Sequence, residues 1–297
     1  MRTEKEMLEL IIETAQKDER IRAVCMNGSR ANPTIPHDIF QDYDIVYVVE
    51  ETASFVDEPT WIDVFGQRLM MQLPDQLDMD CGRDCDVTNE YTYLMLFTDG
   101  NRIDLKLYSL DKAREDYENS TMTIVLLDKD NQFPQKPCSD EAYWVQQPDQ
   151  AHFTSTCNDF WWCLQNVVKG IWRGEFPYAK DMFDNVVRSS LNTMCDWAIA
   201  YPYDFHISTG KQGKFYPSLL HKEEWALYAA TYSSADPIDF YKAIDAGCEL
   251  FSMMAKRTAA ALQLSYCHEE EQVMRCYIDM VKTLDPEAKE LKTISLP

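Results

Sequence analysis

The sequence predicts an α+β protein in which a mixed β-sheet with flanking helices is followed by a bundle of helices. The chain has 297 residues, which is long enough for two domains of ordinary size. Strand and helix patterns alternate up to Pro148, and almost every pattern after that residue is helical. We therefore expect a sheet-containing domain over residues 1–148 and a helical domain over residues 149–297.

The elements of the first domain follow from capping, alternation and turn signals. Thr3 and Glu6 form a capping-box pattern ahead of apolar residues at helical spacing, which predicts a helix over residues 3–17. Asp99-Gly100-Asn101 separates two alternating runs and indicates a hairpin. The predicted strands span residues 21–26, 45–49, 68–72, 91–98, 102–108 and 123–127, and a short helix spans residues 61–65. Together they predict a mixed sheet of about five strands with helices against it.

The second half begins with the clearest helical pattern in the chain. Apolar residues recur at intervals of three and four from Phe153 to Ile171. The other predicted helices lie after Pro177, around Trp225, from Pro237 to Gln263 and from Glu269 to Lys282. We expect their aromatic and methionine side chains to form the core of a helical bundle.

The charge balance limits the classes of partner. The chain carries 28 Lys and Arg against 50 Asp and Glu, for a net charge of −22. Nucleic acid is disfavoured as a partner because its phosphate backbone requires a basic face. A cationic small molecule would be attracted to such a protein, although acidity is equally consistent with a simple role in solubility.

The cellular location is predicted from the absence of targeting patterns. No apolar run approaches the length of a membrane span, and the first residues contain no apolar segment typical of a secretory signal. The ten cysteines would then be free thiols in a reducing compartment. We expect a cytoplasmic protein with no membrane association.

The most informative motif is Gly28-Ser29-Arg30, followed by Asp42-Tyr43-Asp44. The pattern indicates a strand, a tight turn, a loop and a second strand. Asp42 and Asp44 would project from one face of that strand, because residues i and i+2 face the same way. Two adjacent carboxylates repel each other unless a cation lies between them, and hard oxygen ligands suit Mg²⁺. A glycine turn allows backbone N–H groups to approach a phosphate, so the motif indicates a site for a nucleoside triphosphate.

A third carboxylate completes the predicted site. In Arg102-Ile103-Asp104-Leu105-Lys106-Leu107, apolar residues alternate with charged ones, so Asp104 lies on the face opposite the core. If this strand lies beside the one that carries Asp42 and Asp44, the three carboxylates converge. Asp104 would then either share a metal or take a proton from an attacking hydroxyl. The ordered set is typical of polymerase-β-like nucleotidyltransferases.

Longer segments carry a closer resemblance. In the first half they are MNGSRANPTIPHDIFQDYDIVYVV, WIDVFGQRLMMQLP and FTDGNRIDLKL, and in the second half NDFWWCLQNVVKGIWRGE, YAKDMFDNVVRSSLNTMCDW and STGKQGKFYPSLL. In combination they resemble the aminoglycoside 6-adenylyltransferases, which modify streptomycin. The resemblance covers residues 1 to about 265 and leaves the final residues less distinctive.

The resemblance implies Mg²⁺-dependent transfer of AMP from ATP to a hydroxyl of streptomycin, with release of pyrophosphate. Asp42 and Asp44 would hold Mg²⁺, and Asp104 would orient and deprotonate the acceptor hydroxyl, as a metal ligand, a base or both. Another aminoglycoside or a different antibiotic could be the acceptor instead. A relative that binds a nucleotide or a cationic ligand without turnover is the alternative outside enzymes.

The resemblance also implies ligands for the triphosphate. Gly28 and Ser29 would contact phosphate oxygens, and Arg30 would either pair with phosphate or brace the loop by a salt bridge. Lys169 and Lys214 could reach the triphosphate, although a lysine near a helix C-terminus and a solvated loop lysine are equally plausible interpretations.

The resemblance also indicates where the acceptor would bind. Streptomycin carries two guanidinium groups, so its pocket needs carboxylates and aromatic faces. Asp181, Glu175 and Trp172 in the helical half are the candidates, and Asp181 matches a position of the family. Each is also compatible with an ordinary structural or solvated role.

Overall fold

The computed structural model describes residues 1–291 of the chain. The chain divides into two compact units, one spanning Met1–Ala142 and the other beginning at Tyr143. The first contains a mixed sheet with helices and the second is helical, which confirms the predicted α+β class. The units divide after Ala142, whereas the predicted domain boundary follows Pro148.

The first unit is built on one six-stranded sheet, in which each of the six predicted strands is present. The strands are β1 (Ile21–Asn27), β2 (Tyr43–Val49), β3 (Arg68–Gln72), β4 (Glu90–Phe97), β5 (Arg102–Ser109) and β6 (Ile124–Asp128). Their spatial order is β3-β4-β5-β2-β1-β6. Neighbouring strands pair antiparallel except β2 and β5, which pair parallel. The predicted hairpin joins β4 to β5.

Short helices connect and cover these strands. They are α1 (Glu4–Lys17), α2 (Gly28–Ala31), α3 (Ala53–Val56), α4 (Pro74–Asp80) and α5 (Leu110–Asn119), with 3₁₀ turns at Trp61–Phe65 and Glu141–Tyr143. The Thr3–Glu6 capping box begins α1. The hydroxyl of Tyr47 in β2 donates to the carbonyl oxygen of Ile11 at 2.6 Å, which holds α1 against the sheet.

The two faces of the sheet differ in what covers them. Apart from Ser109 at the end of β5, the odd-numbered residues of β2 and β5 are apolar and buried in the core beneath α1; they are Tyr43, Ile45, Tyr47, Val49, Ile103, Leu105 and Leu107. On the opposite face, Val46, Val48 and Tyr108 pack against α5 at one end of the strands. Asp44 and Asp104 lie on this second face at the other end, where the strands begin. The alternation of β-strands therefore separates the core from the charged groups.

The second unit is a helical bundle. Its helices are α6 (Gln150–Trp172), α7 (Phe176–Asp181), α8 (Arg188–Ala200), α9 (Tyr216–Leu219), α10 (Lys222–Ala230), α11 (Pro237–Leu262) and α12 (His268–Lys282), with a π-helix at Met182–Val187 and 3₁₀ turns at Tyr201–Tyr203 and Lys211–Gly213. Phe160 of α6 stacks on Phe251 of α11 with ring centroids 3.8 Å apart, and both are fully buried. Over residues 1–291, no helix is both long enough and apolar enough to cross a membrane.

Candidate functional site

Three carboxylates come together at one end of the sheet. Asp44 in β2 pairs in register with Asp104 in the parallel strand β5. Asp42 lies directly before β2, one residue outside the strand. One carboxylate oxygen from each of the three residues lies within 4.8 Å of those of the other two. We call these residues the carboxylate triad.

Gly28 packs directly against the triad. It begins α2 immediately after β1, with a φ of 70° that suits glycine. A Cβ atom at this position would lie 1.8 Å from Oδ2 of Asp44. Any side chain would therefore displace the carboxylate, so glycine is required here both by its conformation and by the closeness of Asp44. The backbone N–H groups that begin α2 lie next to the triad, because α2 follows β1 and Asn27 of β1 pairs with Asp44.

Arg102 is the counter-ion of the triad and was not among the predicted site residues. Its Nε lies 2.7 Å from Oδ1 of Asp104, and its Nη2 lies 2.5 Å from Oδ2 of Asp104. Nε is also 3.8 Å from Oδ2 of Asp42. The sequence spacing indicates this pairing, because Arg102 and Asp104 are separated by one residue on the same strand and therefore share a face.

The electrostatic effects within the site are clearest in the raised pKa of Asp44. Burial, together with the nearby charges of Asp42 and Asp104, raises the pKa of Asp44 to about 6 against the opposing effect of Arg102 and Lys106. The bidentate pairing with Asp104 in turn raises the pKa of Arg102 above its usual value. The ionised triad is therefore only partly neutralised by the side chains around it.

The donor set of the triad fits a hard divalent cation. All the candidate ligand atoms are carboxylate oxygens, which Mg²⁺ prefers over nitrogen or sulfur. The three side chains are half-buried rather than solvated. Like charges held this close gain from a cation between them, and Asp44 gains most because its ionised form is the least favourable.

Arg30, for which two roles were open, makes contacts within the loop. Its guanidinium donates to the carbonyl oxygens of Gln41 at 2.8 Å and Asp42 at 3.0 Å. It lies 3.5 Å from a carboxylate oxygen of Glu4 and stacks 4.0 Å over the ring of Tyr43. The side chain is 5% exposed. These contacts favour the bracing role, because Arg30 holds the loop that carries Asp42. Ser29, by contrast, is half-buried beside it in α2.

Two predicted residues of the second unit share a cleft. Lys169 and Trp172 of α6 line a cavity of about 300 Å³ together with Tyr277 of α12. The indole N–H of Trp172 is buried and has no hydrogen-bond partner among the residues that the structure describes. The charged lining is mainly basic, since Arg173 and Lys289 join Lys169 against Glu290 alone. Such a lining suits an anion better than a guanidinium group.

The other three predicted residues of the second unit, Glu175, Asp181 and Lys214, are exposed and do not line this cavity. Glu175 precedes α7 and lies 3.9 Å from Arg173. Asp181 ends α7 directly before the π-helix, and its Oδ1 accepts a hydrogen bond from Asn185 at 2.6 Å. Lys214 follows a 3₁₀ turn, and its Nζ lies 5.1 Å from the ring centre of Phe215. Asp181 thus adjoins a π-helical turn, a feature that is frequent at functional sites.

Comparison with known proteins covers nearly the whole chain. A family model described as streptomycin adenylyltransferase matches residues 1–281. An aminoglycoside 6-adenylyltransferase of Bacillus subtilis (strain 168) is 36% identical over 278 residues, which is 93% of this chain and 96% of the relative. One from Campylobacter jejuni is 35% identical over 283 residues, 95% of this chain and 97% of the relative. The crystal structure of an aminoglycoside 6-adenyltransferase from Bacillus subtilis covers 96% of this chain and 100% of its own, with 30% identity and a TM-score of 0.48.

Replacement of Asp44 by Asn should stabilise the metal-free protein at high pH. The folded-state pKa of about 6 lies above the unfolded value, so the ionised carboxylate destabilises the fold. The effect is complete above the folded-state pKa and vanishes as pH falls below the unfolded one, about 3.9. In EDTA, we expect Asp44→Asn to raise the free energy of unfolding by about 2 kcal/mol at about pH 8 and by only about 0.5 kcal/mol at about pH 4, measured by urea denaturation.

Asp130→Asn is the matched control for this measurement. Asp130 pairs with Arg22, which lowers its pKa, so its ionised form stabilises the fold. We expect the control to lose stability at the same high pH. An Asp44→Asn protein that is less stable than the wild type at about pH 8 would contradict the electrostatic account of the triad.

Proposed function

The chain belongs to the family of streptomycin adenylyltransferases, and we propose that it transfers AMP from ATP to a hydroxyl group of streptomycin with release of pyrophosphate. Membership confirms the resemblance found in the sequence motifs and makes the chain a nucleotidyltransferase. The observation that supports the proposed chemistry is the triad, which gathers Asp42, Asp44 and Asp104 at one end of the sheet.

Asp42 and Asp44 are the proposed ligands of Mg²⁺. Bound there, Mg²⁺ would stabilise negative charge on the α-phosphate and on the departing pyrophosphate. Arg30 contributes indirectly, because it holds the backbone of Asp42 through two carbonyl groups. Gly28 contributes by leaving the space that the carboxylate of Asp44 occupies. Asp42 is thus positioned through its backbone, and Asp44 through the space that Gly28 leaves.

The proposed step is an in-line displacement at the α-phosphorus. The acceptor hydroxyl oxygen forms a bond to phosphorus, and the bond between that phosphorus and the pyrophosphate oxygen breaks. Asp104 is the proposed acceptor of the hydroxyl proton. In the structure both of its oxygens accept hydrogen bonds from Arg102, so the access of an acceptor hydroxyl to Asp104 depends on where that guanidinium lies. Positioning and charge stabilisation supply most of the rate in such a reaction.

The proposed phosphate ligands are Gly28, Ser29, Lys169 and Lys214. Gly28 and Ser29 begin α2 beside the triad, where backbone N–H groups are not used by the helix. Lys169 lines a mainly basic cleft, which agrees with an anionic ligand. Lys214 is exposed and carries its charge on a loop that contains Gly210 and Gly213, both at positive φ.

The proposed acceptor is a polycation, and the protein's charge favours it. A net charge of −22 raises the local concentration of a cationic drug and speeds its encounter with the protein. Asp181 and Glu175 are exposed carboxylates that can pair with guanidinium groups. Trp172 is also proposed as an aromatic contact, although the basic residues beside it make it the weakest of the three.

A pyrophosphate-release assay tests the proposal directly. The purified protein is mixed with ATP, Mg²⁺ and each member of a panel of aminoglycosides that includes streptomycin. We expect pyrophosphate and adenylylated streptomycin in equal amounts, and none when Mg²⁺ is replaced by EDTA. Turnover only with a different aminoglycoside would change the identity of the acceptor and leave the proposed reaction in place. No pyrophosphate release with any drug of the panel would contradict the proposal.

Removal of single carboxylates should separate the roles in the triad. We expect Asp42→Asn and Asp44→Asn to abolish turnover because each removes a metal ligand, and Asp104→Asn to lower kcat by roughly 10²-fold or more. Steady-state kinetics with streptomycin measures the effect, and thermal melting followed by circular dichroism shows that the fold remains. Asp130→Asn is a surface control that should keep the wild-type rate. A near-normal rate for either metal-ligand variant would remove the metal assignment.

A further inference from the structure

Arg102 is more exposed and less firmly held than Arg30, which also lies near the site. Its side chain is 48% exposed, whereas that of its partner Asp104 is 19% exposed. Arg30 is 5% exposed and is held by carbonyl groups, a carboxylate and an aromatic ring. Arg102 is held almost entirely by the carboxylates of Asp104 and Asp42. An arginine held mainly by carboxylates must compete with any other cation that those carboxylates bind.

We propose that Arg102 is an exchangeable counter-ion: it neutralises Asp104 while no metal is bound and releases that carboxylate when a divalent cation enters the triad. This inference rests on the proposed function, because it takes the triad to be a metal site. Arg102 is thus a positioning residue that sets how tightly the metal binds. It is not a catalytic residue.

The geometry requires competition between the two cations. The guanidinium uses both oxygens of Asp104 and approaches Oδ2 of Asp42, so two of the three carboxylates of the triad face it. A divalent cation among the same oxygens would lie within a few ångströms of the positive charge and be repelled by it. Entry of the metal therefore favours rotation of the exposed Arg102 side chain into solvent.

Arg102→Met tests the proposal, since it keeps much of the side-chain bulk and removes the charge. Mn²⁺ alone, without nucleotide, is titrated into the full-length protein, and free Mn²⁺ is followed by electron paramagnetic resonance. The three carboxylates and one guanidinium sum to −3 + 1 = −2, and the variant leaves −3. We expect the Kd for Mn²⁺ to fall roughly tenfold in the variant.

Arg22→Met is a matched control. Arg22 forms the same two-pronged pair with Asp130, at 2.8 and 2.5 Å, and lies in β1 away from Asn27, the residue that pairs with Asp44. We expect it to leave the Kd for Mn²⁺ unchanged. A second readout is the melting temperature in EDTA and in saturating Mn²⁺. Both variants should melt lower in EDTA, and Mn²⁺ should restore only Arg102→Met.

The outcomes separate this inference from the proposed function. If the wild type binds Mn²⁺ and Arg102→Met binds it equally or more weakly, the exchange is wrong while the metal site stands. If the wild type binds no Mn²⁺, the exchange is wrong and the metal assignment fails with it.

Arg102→Lys is a substitute test variant if the Met variant does not fold, because lysine keeps the charge but loses the two-pronged contact. It should bind Mn²⁺ more tightly than the wild type, and weaker binding would overturn the proposal.

Discussion

The parallel pairing of β2 with β5 decides where the charged groups of the sheet lie. The register sets Asp44 beside Asp104, and the same register buries Ile45 and Leu105 in the core beneath α1. A register shift of one residue would separate the two carboxylates, but it would also turn those apolar side chains out of the core. The burial of the apolar residues therefore keeps the carboxylates together. Hydrophobic packing on one face of the sheet thereby enforces electrostatic repulsion on the other.

The rest of the site compensates for that repulsion. Gly28 leaves room for a carboxylate that no other residue would accommodate, and Arg102 supplies one positive charge to a cluster of three negative ones. Arg30 fixes the loop that places Asp42 beside the strand. The compensation is incomplete, because burial and like charges still raise the pKa of Asp44 to about 6. A site built in this way would gain free energy from a divalent cation, which is the cofactor that the proposed nucleotidyl transfer uses.

Much of this could be predicted from the sequence because its signals are local. Alternation over residues 102–108 locates a strand, and spacing by two residues puts Asp104 on its polar face. Arg102 shares that spacing, which indicates its pairing with Asp104, whereas its approach to Asp42 follows only from the placement of a second strand. The contacts of Arg30 depend on the path of residues 32–42, which has no periodic pattern. The π-helix at Met182–Val187 was likewise not predicted, since its apolar spacing resembles that of an α-helix.

Anomalous X-ray scattering from crystals grown with Mn²⁺ and a non-hydrolysable ATP analogue tests most directly whether the triad holds a metal. The predicted result is an anomalous peak about 2 Å from oxygen atoms of Asp42 and Asp44, bridged to the nucleotide's phosphates. The ordered analogue bound elsewhere, with no peak at the triad and Arg102 still paired to Asp104, would contradict the account.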